Sequence, residues 1–393
     1  MSRNGDRPAD AIHTAEIVSI GSELTTGETR DTNAGDLARD LSERGVEVQR
    51  LQALPDRLTA VQEVLAAATA RSELVITTGG LGPTPDDLTR EAIAAVFSEE
   101  PTVDKALAAH LESLFARRGL TMPPLNLKQA WLIPSARALP NPHGSAPGWW
   151  VERGGGVLVA LPGPPPEMWP MWRHEVLPRL ETRGLGDGRI VRVLRVTGVG
   201  ESQIVATLGE PLFRAENPEV ATYSRADAVD VRITAVPSAG RPAAPAVEAV
   251  ERAVIEAFGD RVFARGRDDW PAALGSALGG RTVALVEAGT AGALVSLLGG
   301  APWLVHAEVL HEARLRELPG LARTARMEHA ADVGLALRAA ERHGDTIASA
   351  AVDASGLKPW RESRTVFLAG EQGRRRAALA ACAILYAGLR ERV

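Results

Sequence analysis

The run Val75-Ile76-Thr77-Thr78-Gly79-Gly80-Leu81-Gly82-Pro83-Thr84-Pro85-Asp86-Asp87-Leu88-Thr89 puts three glycines, two prolines and two adjacent carboxylates into one short stretch. Glycines let backbone N–H groups approach a ligand with no Cβ in the way, and a helix N-terminus behind them favours anions. Two carboxylates beside such a loop would repel a phosphate unless a divalent cation lay between them. The residue types therefore point to a phosphorylated ligand and a hard cation. Thr78, Gly79, Gly80 and Gly82 are the candidate cradle, and Asp86 and Asp87 the candidate metal carboxylates. The same two aspartates fit equally well as caps of the helix that follows.

The flanking sequence supplies the elements that must hold this loop. Leu74 to Ile76 is a short apolar run expected to be a buried strand, and Ile93, Val96 and Phe97 repeat at helical spacing. Upstream, Ala15 to Ile20 reads as a strand ending at Gly21-Ser22-Glu23-Leu24. Thr32-Asn33 then precedes a helix with Leu37 and Leu41 on one face, stopped at Gly45. Val46 to Leu51 is extended and Leu54-Pro55-Asp56 is a loop. The next helix has Thr59 and Gln62 at capping-box spacing, with Val61, Val64, Leu65 and Ala68 on one face. Strands alternating with helices across short loops predict an α/β fold with a doubly wound, mainly parallel sheet. Ligands of such sheets bind at the carboxyl ends of the strands, where Gly21 and the 79–87 loop both fall. Downstream, the prolines and glycines of Leu139 to Gly148 exclude helix. Val157 to Leu161 is a further buried strand that delivers Pro162-Gly163-Pro164-Pro165-Pro166-Glu167 to the same edge. His143 in the first of these loops reads as a surface residue.

At 393 residues the chain is too long for one ordinary core. Residues 1–13 read as a flexible polar tail. From about 181, Ile190 to Val196 and Val229 to Val236 alternate like half-exposed strands around a helix at Glu201 to Leu208. Pro237 to Pro245 is a loop or linker. From about 266, strands at Thr282 to Glu287, Thr346 to Val352 and Thr365 to Ala369, with helices at Thr290 to Leu298 and Arg374 to Arg390, describe a second α/β region. The net charge of −5 disfavours sequence-independent nucleic-acid binding. The single cysteine, Cys382, excludes an intramolecular disulfide and sits in an Ala/Leu-rich helical run that suits a small core residue. Arg374-Arg375-Arg376 reads as solvated surface. With no apolar stretch of membrane-spanning length and no leader-like N-terminus, a cytoplasmic location is expected.

The stretch TTGGLGPTPDDLT resembles the signature of MoaB/MogA-like molybdopterin-binding domains, in the form carried by the CinA (competence/damage-inducible) family. Further CinA-like blocks follow in order: IVSIGSELTTGETRDTNAGDLARDL (Ile17 to Leu41), LPNPHGSAPGWW (Leu139 to Trp150), LPGPPPEM (Leu161 to Met168) and TGVGESQI (Thr197 to Ile204). The resemblance implies a MoaB/MogA-like domain over 14–180, a small α+β KH-like domain over 181–265 and a CinA carboxy-terminal α/β domain over 266–393. It also implies metal-dependent pyrophosphate hydrolysis of ADP-ribose-type nucleotides, with Mg, Mn or Co as the metal, in a homodimer. Asp87 would then bind metal and serve catalysis, Asp56 would activate water or add a second ligand, and Asp86 would be a lesser ligand. Gly21, Ser22 and Glu23 would border the nucleotide, Asn33 would fix the first loop, and Ser145 and Gly163 would belong to loops lining the pocket. The KH resemblance does not imply RNA binding, because the GXXG clamp and a basic face are missing. Related nicotinamide mononucleotide deamidases carry Glu-Ser-Cys-Thr-Gly-Gly with serine as nucleophile, whereas this chain reads Glu287-Ala288-Gly289-Thr290-Ala291-Gly292. A family lysine is replaced by Arg314, and Val352-Asp353-Ala354-Ser355 stands for a Thr-Gly-rich loop. Ser296 reads as a packing or solvent-facing residue. Deamidation is therefore expected to be absent. The alternative reading is a non-hydrolytic nucleotide or pterin binder acting through protein partners in competence or DNA repair; molybdopterin handling is a third.

Overall fold

Strands that are apolar on both faces must be covered by helices on both faces, and three such runs frame the amino-terminal unit. In the computed structural model, which describes residues 11–186, 188–225 and 228–392, this unit runs to Val191 and takes in Val236–Ala243. Its sheet comprises β1 (Thr14–Ile20), β2 (Glu47–Leu54), β3 (Leu74–Thr78), β4 (Ala136–Leu139), β5 (Gly148–Arg153) and β6 (Gly156–Leu161), in the order β2-β1-β3-β6-β5-β4. The pairs β2–β1, β1–β3 and β3–β6 are parallel. The last two strands turn back antiparallel.

The period of two sorts the side chains onto opposite faces. Ile17, Ile76 and Val159 pack with Leu37 and Leu41 of α2 (Asn33–Glu43) and with Met168 and Trp172. Val18, Val75 and Leu158 pack with Val61 and Leu65 of α3 (Leu58–Arg71) and with Ile93 and Phe97 of α4 (Thr89–Phe97). The sheet is thus doubly wound, and the loops after β1, β2, β3 and β6 all emerge at its carboxyl edge.

Several local expectations are corrected. Of the tail expected at 1–13, residues 1–10 lie outside the described residues, but Ile12 is fully buried and its amide donates to Gly184 O at 2.9 Å. The hairpin of β4 and β5 was unforeseen: Trp149 and Trp150 in β5 are buried on opposite faces, which a proline-rich approach concealed. The Thr59/Gln62 capping box does not form, because α3 starts at Leu58 behind Arg57 with no side-chain cap bond.

The second unit comprises Arg192–Ala235 and the chain from Ala244 onward. Its first sheet has the order Glu219–Ser224, Val229–Ala235, Ile190–Val196, Val262–Arg265. Its second has the order Leu304–Leu310, Val283–Ala288, Val333–Arg342, Asp345–Ala354, Trp360–Val366, parallel over the first three strands and antiparallel over the rest. The strand expected at Thr365 to Ala369 is the end of this last edge strand, and the helix expected from Thr290 begins at Ala293. Helix Gly370–Arg392 buries Cys382 completely. Phe263 stacks on Trp270 with centroids 3.9 Å apart, so one core spans the boundary expected at 265–266. Among the described residues no helix is long and apolar enough to cross a membrane.

At the amino edge of the first sheet a fully buried carboxylate, Glu16, accepts from Arg71 Nε (3.0 Å) and Nη2 (2.9 Å) and from Ser72 Oγ (3.1 Å). The Arg71 guanidinium, chiefly through its hydrogen bond, holds the Glu16 carboxyl below the usual glutamate range against the opposing effect of burial. A lowered folded-state pKa adds stability above the unfolded value that is lost as pH falls through the folded one. Glu16→Gln is therefore expected to lower stability at neutral pH and to flatten its acid dependence. Denaturant midpoints taken from pH 7 to pH 3 would refute this if wild type and variant fell in parallel.

Candidate functional site

Strand β3 ends by pressing its backbone against a neighbour. Gly79 has φ 97°, and a Cβ there would lie 2.1 Å from Ile20 O; Gly80 has φ 63°, and its Cβ would lie 2.2 Å from Thr89 Oγ1. The chain then turns back so that α4 begins directly under the loop: Thr89 Oγ1 donates to Gly79 O at 2.9 Å and Thr89 N to Gly80 O at 3.2 Å. This folding decides which amides remain open. Gly79 N donates to Leu161 O at 3.0 Å. Thr78 lies in the sheet between β1 and β6 with its hydroxyl on Ser19 Oγ at 3.3 Å. Neither can serve the cradle expected of them. The amides of Gly80, Leu81 and Gly82 have no acceptor among the described residues, and all three residues line the pocket at this edge.

The two aspartates are not helix caps, since α4 is preceded by Leu88 with no side-chain cap bond. Asp87 instead braces its own loop, Oδ2 accepting from Thr84 N (2.8 Å) and Thr84 Oγ1 (2.5 Å). That carboxylate lies over Gly82, where a Cβ would come within 2.2 Å of it. Asp86 is exposed, and the nearby Thr84 hydroxyl, then its own amide and the Lys128 charge, hold its carboxyl below the usual range. Lys128 Nζ bonds the carbonyls of Asp87 and Thr84 (3.3 Å) and pairs with Glu91 Oε1 at 2.7 Å. Asp56 and Ser22 clasp each other: Ser22 N donates to Asp56 Oδ2 at 2.7 Å, and Asp56 N to Ser22 Oγ at 3.2 Å.

A pocket of about 430 Å³ at the carboxyl edge brings together ten of the expected residues: Gly21, Glu23, Asp56, Gly79, Gly80, Gly82, Asp86, Asp87, Ser145 and Gly163. Ser22, Asn33 and Thr78 are not among the residues that line it. Asn33 Nδ2 holds Gly163 O at 2.7 Å. Gln129 and Glu167 also line the pocket; Glu167 ends the proline-rich loop expected at this edge, whereas nothing in its local sequence marks Gln129. Asn141 stiffens the 139–148 loop: Nδ2 donates to Ala146 O (2.9 Å) and Glu167 Oε2 (2.7 Å), while Oδ1 accepts the amides of His143 and Gly144. Arg90, fully buried beneath the pocket, donates to Leu81 O at 2.8 Å and Pro147 O at 3.2 Å, stapling the two loops. Burial pulls its pKa down to about 10, with Glu91 and Asp87 opposing, so it stays charged at neutral pH.

Among the described residues no three His, Cys, Asp or Glu side chains gather into a ready-made metal cluster. The described lining residues include the carboxylates Glu23, Asp56, Asp86, Asp87 and Glu167 and no His or Cys, an oxygen set that suits a hard cation. An ion of the Mg²⁺ type needs one or two carboxylates and completes its shell with water and ligand phosphate. The residues fit a cation that arrives with a phosphorylated ligand.

Residues 16–182 match the probable molybdopterin binding domain, and residues 191–264 match the KH domain of the damage-inducible protein CinA. A CinA-like protein of Deinococcus radiodurans is 44% identical over 415 aligned residues, covering 95% of this chain and 98% of its own. The chain belongs to the CinA family. A CinA-like protein of Deinococcus deserti is 48% identical over 307 residues, covering 76% of this chain and 74% of its own. The crystal structure of CinA from Thermoplasma acidophilum is 32% identical with a TM-score of 0.39, covering 41% of this chain and 95% of that one.

In the carboxy-terminal region of this CinA-family chain, Ala288 ends strand Val283–Ala288 and borders a pocket of about 610 Å³. None of the described residues lining it carries a hydroxyl or thiol. Glu287 is fully buried and its carboxylate is occupied by Thr290 Oγ1 (2.5 Å), Leu294 N (3.0 Å) and Val295 N (2.9 Å). Arg314 reaches solvent, its amide bonded to Glu317 Oε2 at 2.8 Å, and Ser296 is exposed outside the pocket. Asp353, which stands in strand Asp345–Ala354 rather than in a loop, is taken by Arg326 Nε at 2.6 Å.

Gly80→Val serves poorly as a probe of ligand approach, because it combines a left-handed backbone with a clash on Thr89. It is expected to cost at least about 2 kcal/mol in chemical denaturation, since a β-branched residue pays for both strain and overpacking. Wild-type stability would show that the loop relaxes freely. Arg90→Lys should cost about 1–3 kcal/mol, because one ammonium cannot reproduce the guanidinium fork and strands a buried carbonyl. An unchanged unfolding midpoint would remove the staple from this account.

Proposed function

We propose that the amino-terminal unit hydrolyses the pyrophosphate bond of ADP-ribose-type nucleotides with the help of Mg²⁺, Mn²⁺ or Co²⁺. The observation that carries this reading is the meeting, in one pocket, of three consecutive unpaired amides with the carboxylates of Asp56, Asp86 and Asp87. The amides of Gly80, Leu81 and Gly82 suit phosphoryl oxygens, and carboxylates beside them require a cation to make the site neutral enough for a pyrophosphate. Asp87 and Asp86 would hold that cation, whose chemistry is to neutralise charge on the phosphoryl oxygens. Asp56 is fixed by Ser22 through Oδ2, and among the described residues nothing donates to its Oδ1. That oxygen accepts a proton from water as the water attacks phosphorus; the bridging P–O bond breaks, and AMP and ribose 5-phosphate leave.

The carboxy-terminal region is proposed to lack nicotinamide mononucleotide deamidation. Covalent amide hydrolysis needs a nucleophile beside a base. Here the strand end offers Ala288, and the adjacent Glu287 is already spent on holding the next helix.

Asp87→Asn and Asp56→Asn are each expected to reduce ADP-ribose turnover by at least about a hundredfold, in line with losing a metal carboxylate or a general base. Chelation should remove the wild-type activity, and Mg²⁺, Mn²⁺ or Co²⁺ should restore it. Product analysis by chromatography checks all three, and full activity in chelator would overturn the metal dependence. For deamidation, the full chain is the proper sample, because a cut at 266 would divide the stacked pair Phe263 and Trp270. Ammonia release above a buffer blank, abolished by Ser296→Ala, would overturn the negative expectation.

A further inference from the structure

The short 3-10 helix Pro124–Ala130 forms one side of the amino-terminal pocket and contributes Gln129, which is 2% exposed. Its neighbour Lys128 is already engaged in holding the Asp86-Asp87 loop. Gln129 serves no such internal purpose on its donor side. Asn126 Nδ2 donates to Gln129 Oε1 at 3.1 Å, which sets the orientation of the amide. Among the described residues no acceptor meets Gln129 Nε2. The nitrogen is not sealed in the interior either, since it is absent from the fully enclosed orphan atoms and the residue lines the pocket. The opposite orientation would aim an oxygen at a pocket already lined by Asp86, Asp87 and Glu167, and electrostatics disfavours it. An amide N–H that is locked in direction and opens only into the pocket takes its acceptor from whatever occupies the pocket.

We infer that Gln129 is a ligand-reading residue whose Nε2 donates a hydrogen bond to a phosphoryl oxygen of the nucleotide bound in this pocket. The inference rests on the reading of the pocket as a phosphoryl site, though not on the hydrolysis. A neutral donor is what this wall needs. The loop amides cover one side of a phosphoryl group, and the remaining charged lining residues are carboxylates, which cannot donate. Gln129 supplies a donor on a different element without adding a cation that the carboxylates would capture. The seat is firm, because Asp104 N donates to Ala130 O at 2.8 Å and Asn126 N to Pro123 O at 3.0 Å.

Two substitutions separate this role from packing. Gln129→Met keeps the bulk and adds no charge, but strands Asn126 Nδ2. Gln129→Glu keeps an oxygen for Asn126, exchanges the donor for an acceptor and adds a negative charge facing the pocket. Full-length wild type and both variants are titrated calorimetrically with inorganic pyrophosphate and with ADP-ribose in the presence of Mg²⁺, with melting curves recorded in parallel. Both ligands are expected to bind at least about tenfold more weakly to each folded variant, the loss typical of a hydrogen bond to a charged acceptor. Gln129→Glu is expected to melt below wild type, because it buries a carboxylate beside Asp86, Asp87 and Glu167, so its affinity is read well below its own melting temperature. Wild-type affinity in either folded variant overturns the assignment, and if Gln129→Met fails to fold, Gln129→Glu decides alone. Wild type that binds neither probe also overturns it, because the phosphoryl partner is then missing. Wild type that binds ADP-ribose without cleaving it defeats the proposed hydrolysis, while the variants still decide the role of Gln129.

Discussion

The amino-terminal site depends on a guanidinium with no water around it. Arg90 lies fully buried and donates through Nη1 to Leu81 O and through Nη2 to Pro147 O, two carbonyls that belong to separate loops, while its Nε has no partner among the described residues. A buried charge is tolerated only when its hydrogen-bonding geometry is good, so the two loops are held where the fork can reach both. The glycine loop is fixed from its other side by contact distances that admit no Cβ at Gly79 or Gly80. Between these constraints the open amides of Gly80, Leu81 and Gly82 have little freedom. A phosphoryl group would meet them pre-arranged, and little ordering would have to accompany binding.

The same economy of partners explains the placement of charge. Asp87 is tied to Thr84, Asp56 to Ser22, and Glu167 to Asn141, each through one carboxylate oxygen. One oxygen positions each group, and among the described residues no donor is bonded to the other. Glu16, at the far edge of the same sheet, is different: both of its oxygens are consumed by Arg71, Ser72 and Gln52, and it is structural. The carboxy-terminal region repeats that contrast. Glu287 has both oxygens engaged by its own helix, and the strand end beside it carries Ala288. Its parallel strands frame a pocket whose described lining residues carry no hydroxyl or thiol.

Much of this was legible in the order of residues. Alternation of apolar strands and helices determined the doubly wound sheet, because the period of a strand or helix is set by neighbours along the chain. The glycines and aspartates of 79–87 announced themselves because positive φ and close approach require glycine locally, as Gly79 and Gly80 bear out. Tertiary structure decided what each polar group does. The sequence allowed Asp86 and Asp87 to be caps, and only the folded loop shows Asp87 bound to Thr84 with α4 uncapped. It could not show that the amide of Gly79 is already committed to Leu161, a residue of another strand. Nor could it mark Arg90, whose partner Pro147 lies 57 residues away, or Gln129, whose meaning comes from the pocket it faces. The reason is physical. Propensity and periodicity are written by residues a few positions apart, whereas a buried donor takes its role from whichever acceptor the packed chain brings within 3 Å of it, and that is settled only once the strands are side by side.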